Sequence, residues 1–235
     1  MNLPQSLYDE VFGTTPHWIY HAWLMFTIWI VLVPAVLLLT RFGKPAPSLI
    51  GIPKGSPKLG RKLFWFTMHR VGLSVLAMAS VVAGTIAIAA SGGFSATLHS
   101  VFGIATVVFG VMQIVSAWFR GSHGVRNPAG SATNEPPVPH GDHYEMTARR
   151  RWFEAYHKTA GWLTVACALG AVATGLSQFW VPGVGVVLAL LAVLYALIAV
   201  VLEARGYRHD TYMSNFGTGA HHPFNEKRIE EMSRR

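Results

Sequence analysis

The chain has 235 residues, of which 51% are hydrophobic and only 13% are charged. Soluble domains carry about 25% charged residues, so this composition excludes an ordinary soluble enzyme. The formal net charge is +8, which by itself is compatible with nucleic-acid binding. The single cysteine, Cys167, excludes a disulfide within the chain.

Five apolar stretches are long enough to cross a bilayer, which takes about 20 mainly apolar residues in a helix. In chain order they are residues 16–40, 63–90, 97–119, 152–180 and 184–202. The first stretch is too long for the apolar part of a signal peptide, so we expect it to remain as a span. We therefore predict an all-α integral membrane protein with five spans.

Charge is distributed unevenly between the segments that connect these spans. Apart from Arg70 and Lys158, every Lys and Arg lies in residues 41–62, 120–151 or 205–235, which alternate with the uncharged loops 91–96 and 181–183. Basic loops remain on the cytoplasmic side of cell membranes. The pattern predicts a multi-pass protein of the cell (inner) membrane with its N-terminus outside and its C-terminus in the cytoplasm. It also makes the lipid bilayer, and not nucleic acid, the partner of the positive charge.

The same pattern divides the chain into four parts. We predict an extracytoplasmic segment over residues 1–15, a four-helix core over 16–180, a fifth transmembrane helix over 181–205 and a cytoplasmic tail over 206–235. The Gly- and Pro-rich residues 121–148 favour an irregular loop. A short helix over residues 225–233 of the tail is also expected.

Each of the first four spans carries one histidine near its start: His21, His69, His99 and His157. Because consecutive spans run in opposite directions, His21 and His99 should share the outer level, and His69 and His157 the inner level. Ionisable residues inside a span are costly and usually functional. Two facing imidazoles can supply both axial ligands of a haem iron, so the pattern predicts two non-covalent b-type haems. In a hydrocarbon core of about 30 Å, their irons would be roughly 15–20 Å apart.

Glycines accompany these histidines on the same helix faces. Gly103 follows His99 by four residues, and Gly161 follows His157 by four. Residues four apart share a face, so these glycines should leave room for a porphyrin plane. Gly72, three residues after His69, is expected to act similarly. The alternative is that the histidines only form hydrogen bonds between helices.

Other polar residues raise further alternatives. His17 lies four residues before His21, but it directly follows Pro16 and should lie at the interface. Gln113, deep in span three, could serve a quinone, although a hydrogen bond between helices is the favoured interpretation. The remaining histidines that could suggest a metal site are assigned to surface segments: His140, His143, His221 and His222.

Arg70 and Lys158 directly follow the two predicted inner ligands and lie inside their spans. An unpaired charge is expensive there. We predict that they bind the propionates of the inner haem; the alternative is that they are positive-inside charges without that contact. Span five contains no histidine and should be a peripheral packing helix or a surface for a partner, including a second copy in a homodimer.

Four segments resemble the cytochrome b561 family, especially the core module that other proteins join to DOMON domains. In order they are residues 21–25 (HAWLM), 65–70 (WFTMHR), 98–103 (LHSVFG) and 152–161 (WFEAYHKTAG). The resemblance covers about residues 20–176 and implies two b haems and transmembrane electron transfer. In better-known members, cytoplasmic ascorbate is the donor. Ala22 replaces a usual glycine, and the ascorbate motif is echoed only in part by residues 37–42.

These observations predict an electron-transfer oxidoreductase or subunit. Its two haems would connect a reductant, which is a quinol, an ascorbate-like small molecule or a partner redox protein, to an acceptor on the opposite side or in the membrane. A close alternative is the haem-bearing membrane anchor of a larger dehydrogenase. An alternative from another class is a non-redox transporter or sensor whose histidines relay protons.

Overall fold

Five long apolar helices form the fold in the computed structural model, which describes residues 18–49, 63–120, 148–178, 182–218, 230 and 233–234. The helices that are long and apolar enough to span a membrane are Tyr20–Phe42, Phe64–Ala90, Leu98–Trp118, Ala148–Gln178 and Val184–Ala204. We call them α1 to α5. The predicted all-α architecture with five candidate spans is therefore confirmed.

The first two helices each contain a widened turn. The helix that contains α1 begins two residues earlier and consists of Trp18–Phe26, the π-helical turn Thr27–Leu32 and Val33–Phe42. Pro34 follows that turn and has no N–H to donate, which disturbs the regular ladder of backbone hydrogen bonds. Across the turn, the N–H of Val33 bonds to the carbonyl of Ile28, five residues back.

α2 consists of Phe64–Thr67, a second π-helical turn Met68–Gly72 and Leu73–Ala90. This turn contains His69. Single π turns within α-helices are frequent at functional sites, because they change the direction in which the following side chains point.

Several threonine and serine side chains inside the spans bond to the backbone of their own helix. Thr164 donates to the carbonyl of Ala160 at 2.7 Å, and Thr106 donates to that of Phe102 at 2.8 Å. A bilayer interior offers no water, so each polar group needs an internal partner. These bonds let small polar residues lie at helix contacts without an unsatisfied hydroxyl.

Side-chain hydrogen bonds deep in the spans join α1 to α2 and to α5. The indole Nε1 of Trp29 donates to the Oγ of Ser80 on α2 at 3.1 Å, and Ser80 is 1% exposed. The hydroxyl of Tyr195 on α5 donates to the carbonyl of Val31, inside the first π turn, at 3.0 Å. Tyr195 thus gives the fifth helix a specific attachment to the core.

The most extensive helix contact is between α3 and α4. Both helices bury small residues, among them Gly110, Ala160 and Ala168. Small side chains allow close approach of helix backbones where lipid removes the hydrophobic drive for association. In contrast, none of the residues in the most apolar stretch of α5 is buried inside the protein, as expected for a peripheral helix.

The turn between α2 and α3 is short and conformationally demanding. Gly92 and Gly93 have φ of 72° and 137°, values that residues with a Cβ rarely adopt. Thr97 then begins α3 as its N-cap, and its side chain accepts from the N–H of Ser100 at 3.3 Å. This turn holds the end of α2 next to the start of α3.

The start of α4 and a short helix near the end of the chain differ from the sequence prediction. α4 begins at Ala148, not at residue 152, because its arginines favour helix and Arg150 pairs with Glu154 one turn later. A short helix, α6 (Thr211–Phe216), lies in the predicted tail, and Asp210 accepts from the N–H of Met213 at its start. Most of the predicted helix 225–233 and of the loop 121–148 falls outside the described residues.

Candidate functional site

The four span histidines meet as two pairs. The rings of His21 and His99 have centroids 6.2 Å apart and planes at 87°, and we call them the first pair. The rings of His69 and His157 have centroids 5.8 Å apart and planes at 73°, and we call them the second pair. The helices α1 to α4 therefore bring together the same pairs of histidines that the alternating direction of the spans predicts.

In the first pair, backbone atoms of α4 hold one ring in place. The Nδ1 of His99 lies 2.8 Å from the carbonyl oxygen of Ala171. A carbonyl oxygen can only accept, so Nδ1 must carry the proton and Nε2 is left with its lone pair. That is the tautomer in which Nε2 can bind a metal ion.

Gly175 provides the space for the His99 ring. A Cβ at this position would lie 3.0 Å from Nδ1 and 3.1 Å from Cε1 of His99. Contacts of this length force the neighbour to move, so the ring position depends on the missing side chain. Nothing in the linear sequence pairs Gly175 or Ala171 with His99, which lies more than 70 residues earlier, so the sequence alone does not predict either contact.

In the second pair, a side chain from α3 contacts the ring. The Gln113 amide, oriented so that both of its atoms have complementary partners, donates to Nδ1 of His157 and accepts from the N–H of Gly161 at 2.9 Å. In this orientation Nδ1 of His157 is the acceptor, so Nε2 of the neutral ring carries the proton. Binding of a metal through Nε2 would require the amide to turn by half a turn, so that its oxygen accepts from a protonated Nδ1. Gln113 thus forms a hydrogen bond between helices, the interpretation that the sequence favoured. This bond lies at the ring of His157, a candidate ligand.

Two further polar atoms lie on one face of α2. The Nε1 of Trp65 and the Nδ1 of His69 are buried without a hydrogen-bond partner among the described residues. The two residues are one helical turn apart. Buried polar atoms in proteins are normally satisfied, so an orphaned pair marks a place where a bound polar group is expected.

An aromatic ring and a buried cation extend the second pair. Phe153 stacks on the His157 ring with centroids 5.1 Å apart and planes at 30°. The guanidinium of Arg150 lies 5.3 Å from the centroid of Phe153, and its Nε is 3.2 Å from Glu154. Arg150 is 8% exposed. It lies seven residues before His157, which is two helical turns and hence the same face.

Arg70 and Lys158, the cations predicted beside the second pair, lie elsewhere. Lys158 is 73% exposed and pairs with Glu154 at 3.4 Å, and exposed Arg70 lies 5.7 Å from the centroid of the Phe66 ring. A residue directly after a histidine is rotated by about 100° around the helix axis. Register therefore turns both away from the face of their neighbouring histidines. Their contact with a cofactor stays a prediction.

The glycines near the histidines fall into two groups. A Cβ at Gly103 or at Gly161 would meet no heavy atom within 4 Å, so both positions border open space as expected. Gly72 differs, because a Cβ there would lie 3.2 Å from Cε of Met68 and 4.0 Å from Val36. The expectation that Gly72 leaves similar room stays a prediction, because the atom at 3.2 Å is the terminal methyl group of the flexible Met68 side chain.

In the part of the chain that the structure describes, no larger cluster of candidate ligands accompanies these pairs. Within the described residues there is no group of three or more His, Cys, Asp or Glu side chains that could hold a metal ion. The remaining histidines named above lie outside the described residues: His17, His140, His143, His221 and His222. The chemistry open to the described site is thus that of two facing imidazoles at two places in the bundle.

Comparison of the chain with protein-family models, with curated proteins and with solved structures found no match.

Proposed function

We propose that the chain is a membrane electron-transfer protein that holds two b-type haems, one between His21 and His99 and one between His69 and His157. The observation that carries the proposal is the spacing of the rings, 6.2 and 5.8 Å between centroids. A metal about 2 Å from one nitrogen of each ring requires centroids roughly 6 Å apart. Two pairs at this spacing, built from four separate helices, are hard to explain as ordinary helix contacts.

Several neighbours support the same conclusion. The Ala171 carbonyl selects the His99 tautomer that leaves Nε2 for a metal. The open positions at Gly103 and Gly161 border space that a flat macrocycle needs. The orphaned polar atoms of Trp65 and His69 suit a ligand that brings polar groups of its own. Together they fit a haem better than a bare metal ion, which needs more than two protein ligands.

The residues of the chain would bind and orient the group, and their apolar surroundings would exclude water from it. Haem supplies a one-electron carrier whose potential depends on its axial ligands and on hydrogen bonds to them. Arg150, together with the predicted Arg70 and Lys158, would supply positive charge for propionates near the second pair. The apolar helices between the pairs would keep the two sites apart.

The proposed orientation follows from the basic loops. The N-terminus would lie outside and the C-terminus in the cytoplasm of a cell-membrane protein, with the second pair on the cytoplasmic side. A quinol, an ascorbate-like reductant or a partner dehydrogenase would donate electrons, and the acceptor would lie on the opposite side or in the membrane. This assignment follows the resemblance to the cytochrome b561 family.

The decisive experiment is a reduced-minus-oxidised optical spectrum of the purified chain with its haem content. We expect the sharp band of bis-histidine b-type haem and about two haems per chain. His99→Ala and His157→Ala should each remove about one haem, while His209→Ala, outside both pairs, should keep both. A colourless protein that takes up no added haem would favour the non-redox alternative, and co-purification with a dehydrogenase would favour the anchor subunit.

A further inference from the structure

A polar pocket lies at the end of the bundle that carries the basic loops, and none of the four paired histidines lines it. It has a volume of about 440 Å³ and is lined by Arg41, Lys44, Arg208, His209, Asp210 and Thr211. Arg41 is the penultimate residue of α1, and Glu203, which contacts the pocket arginines, is the penultimate residue of α5. The pocket is therefore at the depth where the headgroups of a bilayer begin.

Ion pairs organise the cations of this pocket. Glu203 joins two of them: Arg41 Nη2 lies 3.0 Å from one carboxylate oxygen, and Arg208 Nη1 lies 2.8 Å from the other. A guanidinium has five N–H donors, so each arginine keeps several after this pairing. Half of the Arg41 side chain and 60% of that of Arg208 are exposed, so these donors can reach a ligand.

Lys44 supplies the third cation from a partly buried position. Its Nζ donates to the carbonyl of His209 at 3.3 Å and lies 5.7 Å from the centroid of the Trp65 ring. Burial lowers the pKa of Lys44 below its usual value, and the negative charge of Asp210 opposes that shift. An anion placed near the ammonium group would remove part of this desolvation cost.

The charge balance of the pocket indicates what it would bind. Three cations, Arg41, Lys44 and Arg208, face two carboxylates, Glu203 and Asp210, which leaves a net charge of +1 with His209 neutral. A phosphodiester carries one negative charge and several acceptor oxygens. Arginine forks and a lysine ammonium are the groups that proteins use for phosphate.

We infer that this pocket is a binding site for a phosphate group, with the headgroup of an anionic phospholipid as its natural source. Basic pockets between transmembrane helices at the cytoplasmic surface bind such headgroups. The lipid tails would lie along α1 and α5, where large apolar side chains such as Leu32 and Leu197 are exposed. Occupation would strengthen the attachment of α6 to the core, because the pocket joins Arg41 of α1 to Arg208, which follows α5, and to Thr211 at the start of α6.

The test uses the purified full-length chain in a neutral detergent and titrates three probes: phosphatidylglycerol, phosphatidylcholine and inorganic phosphate. Bound lipid is counted by native mass spectrometry, and affinity is read from the thermal unfolding midpoint. We expect saturable binding of phosphatidylglycerol, weakened about fivefold by Arg208→Gln and by Lys44→Gln. Arg205→Gln is the matched control, because Arg205 is an exposed cation at the same helix end that does not line the pocket.

The outcomes distinguish a lipid headgroup from a soluble phosphate and from nonspecific binding. Binding of inorganic phosphate with the same dependence on Arg208 and Lys44 would support the site and identify a soluble phosphate as its ligand. Equal binding of the two lipids would overturn the proposal, and so would a loss of binding in Arg205→Gln as large as that in Arg208→Gln. Either result would indicate nonspecific attraction of lipid to the protein surface. Arg208 is mostly exposed, so its variant should fold, which circular dichroism verifies. None of these readouts depends on haem.

Discussion

The two histidine pairs reach similar ring spacings by different means. In the first pair, a backbone carbonyl and a glycine of α4 position His99. In the second pair, side chains surround His157: the Gln113 amide, the stacked ring of Phe153 and, beyond it, Arg150. A substitution can disturb a backbone carbonyl only by steric displacement, whereas it can remove a side-chain partner directly. Substitutions can therefore change the hydrogen bonding and the electrostatics of the second pair more readily than those of the first pair.

The largest expected effect concerns the buried cation of the second pair. Arg150→Gln removes a charge whose side chain is 9% exposed and leaves Glu154 without its buried partner. We expect the free energy of unfolding to fall by about 2–3 kcal/mol, because a hydrogen bond between charged groups is lost at a nearly buried guanidinium, although Glu154 keeps Lys158 as a partner. Denaturant titration in detergent, followed by circular dichroism, measures the change.

Lys158→Gln is the control for that experiment, because Lys158 pairs with the same carboxylate from a 73% exposed position. Its loss should cost less than about 1 kcal/mol. If the two variants lost equal stability, the burial of Arg150 would not be what distinguishes the two cations.

The next effect concerns the first pair and its dependence on a glycine. Gly175→Ala places a methyl group 3.0 Å from Nδ1 of His99, so the ring must move away from the Ala171 carbonyl. We expect haem binding at the first pair to weaken about 10- to 100-fold, the usual cost of disturbing a partner of a metal ligand, with the second pair unchanged. Titration of the haem-free protein with haem measures both sites.

Gly84→Ala adds the same methyl group at a helix position where the nearest heavy atom is 3.8 Å away. It should leave both haem sites as they are. Equal weakening of the first site by both substitutions would show that helix perturbation, and not contact with His99, is responsible.

A smaller effect should distinguish the second pair. Gln113→Leu removes the amide at Nδ1 of His157 and at the N–H of Gly161. We expect haem affinity at the second pair to fall about tenfold and its midpoint potential to shift, because hydrogen bonding to a ligand tunes the metal. Redox titration of the optical spectrum should show one shifted component and one unchanged component.

Gln178→Leu, at the exposed end of α4, is the matched replacement of an amide by an apolar group. It should shift neither component. A shift of the first-pair component in Gln113→Leu would contradict the assignment of Gln113 to the second pair alone.

The smallest effect lies outside the pairs, on the helix that carries no histidine. Tyr195→Phe removes the hydroxyl that donates to Val31 at 3.0 Å. We expect a loss of about 1 kcal/mol, the typical net contribution of one hydrogen bond, and no change in haem content. A loss of haem would mean that α5 helps to hold the sites and is more than a peripheral helix.

The sequence by itself determined the number of candidate spans and which histidines share a level. Both follow from one-dimensional facts: apolar length decides whether a helix can span a bilayer, and alternating direction decides which span starts coincide. Given these levels, the two pairs come together in any bundle in which the four helices face one another. The boundaries of the spans were predicted to within four residues, with the largest differences at the starts of α1 and α4.

Tertiary structure alone decided the surroundings of the pairs, because they depend on how each helix is rotated about its axis. The sequence contains three consecutive arginines before span four, and only the packed register shows that Arg150 is the buried one. The same rotation brings Gln113 to His157 and Gly175 to His99, and it turns Lys158 outward. A helix with a nearly uniform apolar surface carries little information about its own rotation, so contact with neighbouring helices has to set it.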